Sequence, residues 1–359
     1  MNGNDPSAVG PAPLRRFWRM ALGFWTDSSA WIPWALMALL TVCVVTQILV
    51  QYRLNLWNRD FFNALERRDG REILQQAYLL PALAIGSVGL AVTAVWGRMT
   101  FQRSWRAWLT KQLLRVWLSN ENYRRLDDGL GEPQLAEYRI AEDARIATDA
   151  PIDLLVGLLS SLLTAATFVV VLWTIGGALE LDGFGRTLTL PGYLVFASIA
   201  YAALTTAAMM LVGRRMADVI ERKNQAESEL KFAVAHLRNE PRSAAPRRDA
   251  SVDFALGEVI RQWRRLCGQH VRTTLVSHGN TLLAPLVGLI LCVPQYIHET
   301  MSLGEVTQAA AAFAAVQGAF NWLVDNYPRL AEWASSASRV GVLLFGLDVL
   351  GTTKVRPGA

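Results

Sequence analysis

The sequence predicts an all-α membrane protein of six transmembrane helices, two pairs of which extend into long cytoplasmic helical hairpins. Three observations carry this reading. Hydrophobic residues fill 52% of the 359 positions and charged residues only 18%, with a mean hydropathy of +0.23, whereas a water-soluble domain holds about 25% charged residues. Six runs, Ala30–Tyr52, Gln76–Gly97, Leu154–Leu179, Thr187–Gly213, Thr273–Ile297 and Val306–Val324, contain no Asp, Glu, Lys or Arg. Each approaches or exceeds the roughly 20 helical residues that cross a 30 Å hydrocarbon layer. Finally, the segments between the runs alternate in charge: 29 of the 35 Lys and Arg residues fall on one side and 6 on the other. Cytoplasmic segments collect Lys and Arg, so both termini are expected in the cytoplasm.

The elements follow in order. Residues 1–13 are polar and expected to be disordered. Residues 14–29 are too short to span, and Phe17, Trp18, Phe24 and Trp25 suit an interfacial elbow helix. Residues 30–350 form the membrane domain, with spans at about 30–52, 76–100, 154–179, 187–213, 273–297 and 306–327, and 351–359 is a tail. Lipid offers no hydrogen-bond partners, so continuous runs of this length are read as helices. The two inward connections, Arg98–Asp153 and Arg214–Arg272, are long and helical in pattern. Leu230, Ala233, Val234 and Leu237 mark one apolar face, and Val252, Leu256, Val259, Trp263 and Leu266 another. Breaks at Asp127–Pro133 and Pro241–Pro246 are expected to be the hairpin tips.

Composition also excludes several classes. Cys43, Cys267 and Cys292 form no disulfide framework, and no cysteine–histidine cluster has metal-ligand spacing. Neither His-Glu-x-x-His nor Gly-x-Ser-x-Gly occurs, and His236, His270, His278 and His298 are scattered. No metal site, catalytic residue or cofactor held by this chain is expected. The net charge of +5 follows from membrane topology and needs no nucleic acid.

Several strings narrow the reading. Asn55-Leu-Trp-Asn-Arg-Asp-Phe-Phe-Asn-Ala-Leu-Glu-Arg-Arg-Asp69 follows the first span, and Tyr138-Arg-Ile-Ala-Glu-Asp-Ala-Arg-Ile-Ala-Thr-Asp149 precedes the third. Phe313-Ala-Ala-Val-Gln-Gly-Ala-Phe-Asn-Trp-Leu-Val-Asp325 and Arg329-Leu-Ala-Glu-Trp333 come late. Together, over roughly Trp31–Leu350, they resemble the transmembrane domain of the SbmA/BacA-like group of ABC transporters. Relatives of that group include the peroxisomal fatty-acyl transporters and the mycobacterial cobalamin and peptide importer. The resemblance implies an exporter-type fold working as a homodimer in the bacterial inner membrane, moving peptides or other bulky hydrophilic solutes. Many such proteins carry an ATPase domain after the sixth span; no Gly-x-x-x-x-Gly-Lys-Ser/Thr phosphate loop occurs in these 359 residues. ATP hydrolysis is therefore expected only through a separate ATPase subunit. The alternatives are a stand-alone proton-driven peptide importer and a non-transporting scaffold. The stretch Glu240–Asp253 departs from the pattern of the ATPase-fused members, which puts a standard second coupling helix in question.

Candidate working residues fall in two groups. Gln317, Asn321 and Asp325 share one helical face, with Trp322 beside it, and Thr274, His278 and Thr281 share another. Polar groups in lipid face a watery path or another helix, so both groups are candidates for the substrate cavity, with interhelical hydrogen bonding as the bland alternative. His278 is considered for a proton relay, and Asp325 is the candidate proton carrier if a proton gradient drives the cycle. In the first hairpin Glu142–Arg145 and Arg139–Asp143 have intrahelical ion-pair spacing and are coupling or gating candidates. Asp60, Phe61 and Phe62 are candidates to cap the outward end of the cavity, or else to anchor the helix at the interface.

Overall fold

The computed structural model describes residues 11–26, 30–119, 122, 134–183, 186–237 and 245–352. The expected tip Asp127–Pro133, most of the tip at Pro241–Pro246, and most of both termini lie outside them. Helix α1 (Pro11–Ala21) runs into a single 3-10 turn, Leu22–Trp25. Helices α2 (Trp31–Glu66) and α3 (Gly70–Leu118) follow. Short α4 (Gln134–Tyr138) passes through a π turn, Arg139–Asp143, into α5 (Ala144–Gly176). Strands β1 (Ala178–Gly183) and β2 (Arg186–Pro191) come next, then α6 (Tyr193–Gly213), α7 (Met216–Leu237), α8 (Ala245–Ile297) and α9 (Leu303–Thr352).

Five of the described helices are long and apolar enough to cross a membrane: α2, α3, α5 with its lead-in, α6 continued by α7, and α8. Helix α9 is not among them. Its run is rich in small alanines and carries Gln308, Gln317 and Asn321, which lower its mean hydropathy. At 1.5 Å per residue the 49 residues of α3 and the 53 of α8 extend about 74 Å and 80 Å, far beyond a hydrocarbon layer. The described parts of Arg98–Asp153 and Arg214–Arg272 are mostly helical, and so is the connection between the first two charge-free runs. Helix α2 continues to Glu66 and turns at Arg67–Asp69, where Arg68 takes φ 58° and the Asp69 carboxylate accepts from the N–H groups of Arg71 and Glu72 at 3.0 and 3.2 Å.

One correction to an all-helical reading lies between α5 and α6. The charge-free run starting at Thr187 begins as a strand, not as a span. β1 and β2 pair antiparallel, Ala178 opposite Pro191 through Gly183 opposite Arg186. Gly177 and Gly192, both at positive φ, close the base through a Gly192 N–H to Gly177 carbonyl bond of 2.8 Å. A Cβ at Gly192 would come within 2.5 Å of the Trp173 ring, so both conformation and space require glycine there.

The chain divides into two compact units. One comprises Met1–Phe168 and Trp322–Ala359, the other Val169–Asn321. In the first, the core gathers Phe17, Phe24, Leu40, Phe101, Trp105, Leu109, Val340 and Leu343. Phe17 and Phe24 of the elbow segment are part of this core. Helix α1 itself starts at Pro11, ahead of the expected Leu14. In the second unit α7 packs along α8, and α6 on α8. The packed side of α8 is Val259, Gln262, Leu266 and Gln269, while Leu256 and Trp263 of the predicted face are exposed.

Candidate functional site

The densest polar arrangement of the first unit is a seam between the start of α5 and α9. Asp143 ends the π turn and is 1% exposed. Its two oxygens accept from Arg339 Nε at 3.0 and 2.9 Å and from Arg339 Nη2 at 2.6 Å. The guanidinium also donates to Ser335 Oγ (2.6 Å) and Ser336 Oγ (2.8 Å), one turn back on its own helix. Ten residues along α5, Asp153 accepts from Arg329 of α9, from Arg98 Nε of α3 (3.2 Å) and from Gln102 Nε2 (2.8 Å). The two latches run in opposite chain directions, 143 to 339 and 153 to 329, so α5 and α9 are antiparallel here. Between them Pro151 lacks an N–H, which leaves the Ala147 carbonyl without its helical donor. Trp333 Nε1 supplies one at 3.3 Å. A buried carboxylate is tolerable only when paired in this way, and removing one partner of such a pair costs about 3–5 kcal/mol.

A second, half-buried set of charges lies beside the seam and before the third charge-free run. Glu142 accepts from Arg145 Nη2 and Nε at 2.6 and 3.2 Å, and Arg145 Nη1 stands 3.7 Å from Asp149. The hydrogen bond from Arg145 holds the Glu142 carboxyl below the usual carboxylate range. Asp149 is shifted the other way: burial raises its carboxyl, against the pull of Arg145 and Arg106.

The structure sorts the predicted coupling residues. The Glu142–Arg145 pair forms as its spacing implies. Asp143 is engaged by Arg339, 196 positions away; the extra residue of the π turn shifts the stacking on which i, i+4 pairing depends. Asp60 is bound by Arg59 at 2.9 Å and faces Arg53 at 3.6 Å. Phe61 stacks on Trp57 with centroids 5.1 Å apart, and Phe62 meets Phe61 edge-on at 5.7 Å. Trp57 in turn donates to the Gln76 carbonyl of α3 (2.8 Å). These rings brace the α2–α3 hairpin.

The cavity candidates separate between the two units. In the second, Gln317 is 1% exposed and donates to the Ser198 carbonyl of α6 at 2.8 Å, which is interhelical hydrogen bonding. Asn321 is half-buried. Thr274, His278 and Thr281 form an exposed strip on α8, the Thr281 hydroxyl donating to the Ser277 carbonyl (3.1 Å). In the first unit, Asp325 is exposed. Trp322 lies over Gly157, where a Cβ would come within 2.6 Å of its ring. It lines not a polar cavity but an apolar groove of about 430 Å³ with Trp18, Trp25, Trp105 and Trp333.

Sequence reading missed Asp153, Arg98, Arg329 and Arg339 as working residues. Asp153 and Arg98 stood at the ends of charge-free runs, where any charged residue reads as a boundary. Among the described residues no cluster of His, Cys, Asp and Glu could hold a metal ion.

Comparison with known proteins agrees with this architecture. The family described as ABC transporter transmembrane region 2 matches residues 28–297. The inner membrane ABC transporter ATP-binding protein YddA of Escherichia coli K12 is 25% identical over 327 residues, which cover 88% of this chain and 58% of that protein. An uncharacterized ABC transporter ATP-binding protein of Synechocystis is 22% identical, over 91% of this chain and 48% of the relative. The chloroplastic ABC transporter D family member 2 of Arabidopsis thaliana is 19% identical, over 91% and 45%. The chain thus spans about half the length of the curated relatives it matches.

Proposed function

Because the chain belongs to the ABC transporter transmembrane region 2 family, we propose that it is the permease subunit of an ABC-type transporter in the bacterial inner membrane. It translocates peptide-like or cobalamin-like solutes as a homodimer of six-span subunits with cytoplasmic termini, and ATP is hydrolysed by a separate subunit. The family match over three-quarters of the chain carries the reading. The names of the bacterial relatives, ABC transporter ATP-binding proteins, support a cycle driven by ATP. The low charge of Val306–Val324 supports α9 as the sixth span. In this reading the π turn and the α5–α9 seam couple the partner's movement to the spans, and the strip Thr274, His278 and Thr281 faces the solute.

The test is uptake of labelled peptide and of labelled cobalamin by proteoliposomes holding the chain and a co-purified ATP-binding subunit. ATP-dependent accumulation that needs both proteins is the expected result. Accumulation by the lone chain under an imposed pH gradient, abolished by Asp325→Asn, would replace this reading with proton-driven import. No accumulation under either drive, with the chain folded, would leave a scaffold.

A further inference from the structure

The groove beside Trp322 is built for an occupant the transport reading does not use. Its volume of about 430 Å³ lies within the about 300–1,000 Å³ of small-ligand sites. The lining side chains are apolar apart from Asn326 and the indole N–H groups. Asn326 already donates to the Trp322 carbonyl at 2.8 Å, and Trp333 to that of Ala147. Trp105 is 2% exposed and presents ring carbon to the groove, its indole N–H being sealed from it. The rim consists of leucines left outward-facing, among them Leu22 (53% exposed), Leu155 (50%) and Leu323 (57%). An occupant therefore enters across an apolar edge, from lipid and not from water.

Helix α1 supplies the charge. Arg15, Trp18, Arg19 and Leu22 fall within about 100° of one another around the helix. Trp18 and Leu22 line the groove, while Arg15 and Arg19 are exposed next to it. The helix carries no acidic residue. Two cations beside an apolar slot are complementary to an anionic amphiphile, not to a neutral one.

We propose that this groove holds one acyl chain of an anionic phospholipid, with the lipid phosphate against Arg15 and Arg19. The occupant is a structural lipid of the first unit, and the site is independent of the cargo.

The test uses the full chain purified in detergent and titrated with phosphatidylglycerol or phosphatidylcholine carrying one brominated acyl chain. Bromine quenches nearby indoles, and native mass spectrometry counts the lipids retained. Saturable quenching by brominated phosphatidylglycerol is expected, with one high-affinity lipid per chain. The double variant Arg15→Gln/Arg19→Gln should bind roughly 30-fold more weakly, from two basic residues near a lipid surface. Leu158→Trp, which fills the groove and leaves both arginines, should abolish the saturable phase; Leu158→Met is the control for folding and should retain it. Equal binding of the two lipids, or saturable binding unchanged in Leu158→Trp, would overturn the proposal. So would quenching that tracks protein concentration and not lipid, since that would make a second copy of the chain the occupant.

Discussion

The two compact units are tied together internally by different chemistry. In the unit of Met1–Phe168 and Trp322–Ala359, distant helices are joined by charge: Asp143 to Arg339, and Asp153 to Arg329 and Arg98. In the unit of Val169–Asn321 the described ion pairs, Lys223–Glu227 and Arg261–Glu258, are within single helices. Its distant helices are joined instead by neutral donors on backbone carbonyls. Gln295 reaches Gly176 at 3.0 Å, Gln317 reaches Ser198 at 2.8 Å, Tyr193 reaches Leu291 at 2.8 Å, and Gln269 reaches Val212. The contrast follows from solvation. A carboxylate and a guanidinium lose much of their hydration when buried, which Coulomb attraction and further hydrogen bonds must offset. An amide loses far less, and a helix carbonyl has a spare lone pair for it. The charge-joined unit includes the charged segment ahead of the run Leu154–Leu179, whereas the amide-joined unit is built around charge-free runs.

The comparison can be broken most directly at Arg339. Arg339→Met should destabilise the first unit by about 3–5 kcal/mol by stranding the Asp143 carboxylate, read as a lowered unfolding midpoint in detergent. Adding Asp143→Asn should restore most of the loss. If the single variant unfolds like the wild type, the seam is decoration. Lys223→Met in the other unit should shift stability by about 0–1 kcal/mol. Next in size is Gly157→Ala, whose new methyl displaces the Trp322 ring. Overpacking of this kind costs about 1–3 kcal/mol, and a red-shifted tryptophan emission should accompany it.

Smaller effects sharpen the contrast. Gln317→Leu removes one neutral hydrogen bond and should cost about 0.5–1.5 kcal/mol, well below the Arg339 variant in the same unfolding assay. The smallest effect is on pH dependence. Burial raises the Asp149 carboxyl, so its ionised form is disfavoured in the folded chain. Its contribution to stability is full below the unfolded value of about 3.9 and is lost as pH rises through the raised folded value. Asp149→Asn should remove that decline from a plot of unfolding midpoint against pH. Glu142 has the opposite sign: its lowered carboxyl favours the fold above the unfolded value of about 4.3, and that contribution disappears on acidification through the lower folded value.

Much of the helix layout was legible because hydrocarbon imposes a simple rule, that about 20 residues without charge make a span. The run Leu154–Leu179 and the helix Ala144–Gly176 differ at the outer end by three residues. The same rule misplaced Thr187–Pro191, where absence of charge says nothing of conformation. The alternation Thr187, Leu188, Thr189, Leu190 held the strand signal there. The seam was illegible for a different reason. Its partners lie 176 and 196 positions apart, and no periodicity within one helix reports a contact at that separation. Gln317 stands out in the sequence as a polar residue in an apolar run, but which carbonyl its amide N–H meets, that of Ser198, is a matter of helix packing that no local pattern reports.

The even spacing of the two carboxylate latches has a mechanical consequence. Both pairs sit ten residues apart on each helix, about 15 Å at 1.5 Å per residue, and they engage in a single register. Sliding α5 past α9 by one turn, about 5.4 Å, disengages both teeth together and offers neither carboxylate a replacement cation on α9. The joint therefore resists creep: these two stretches travel as one rod, or they let go all at once.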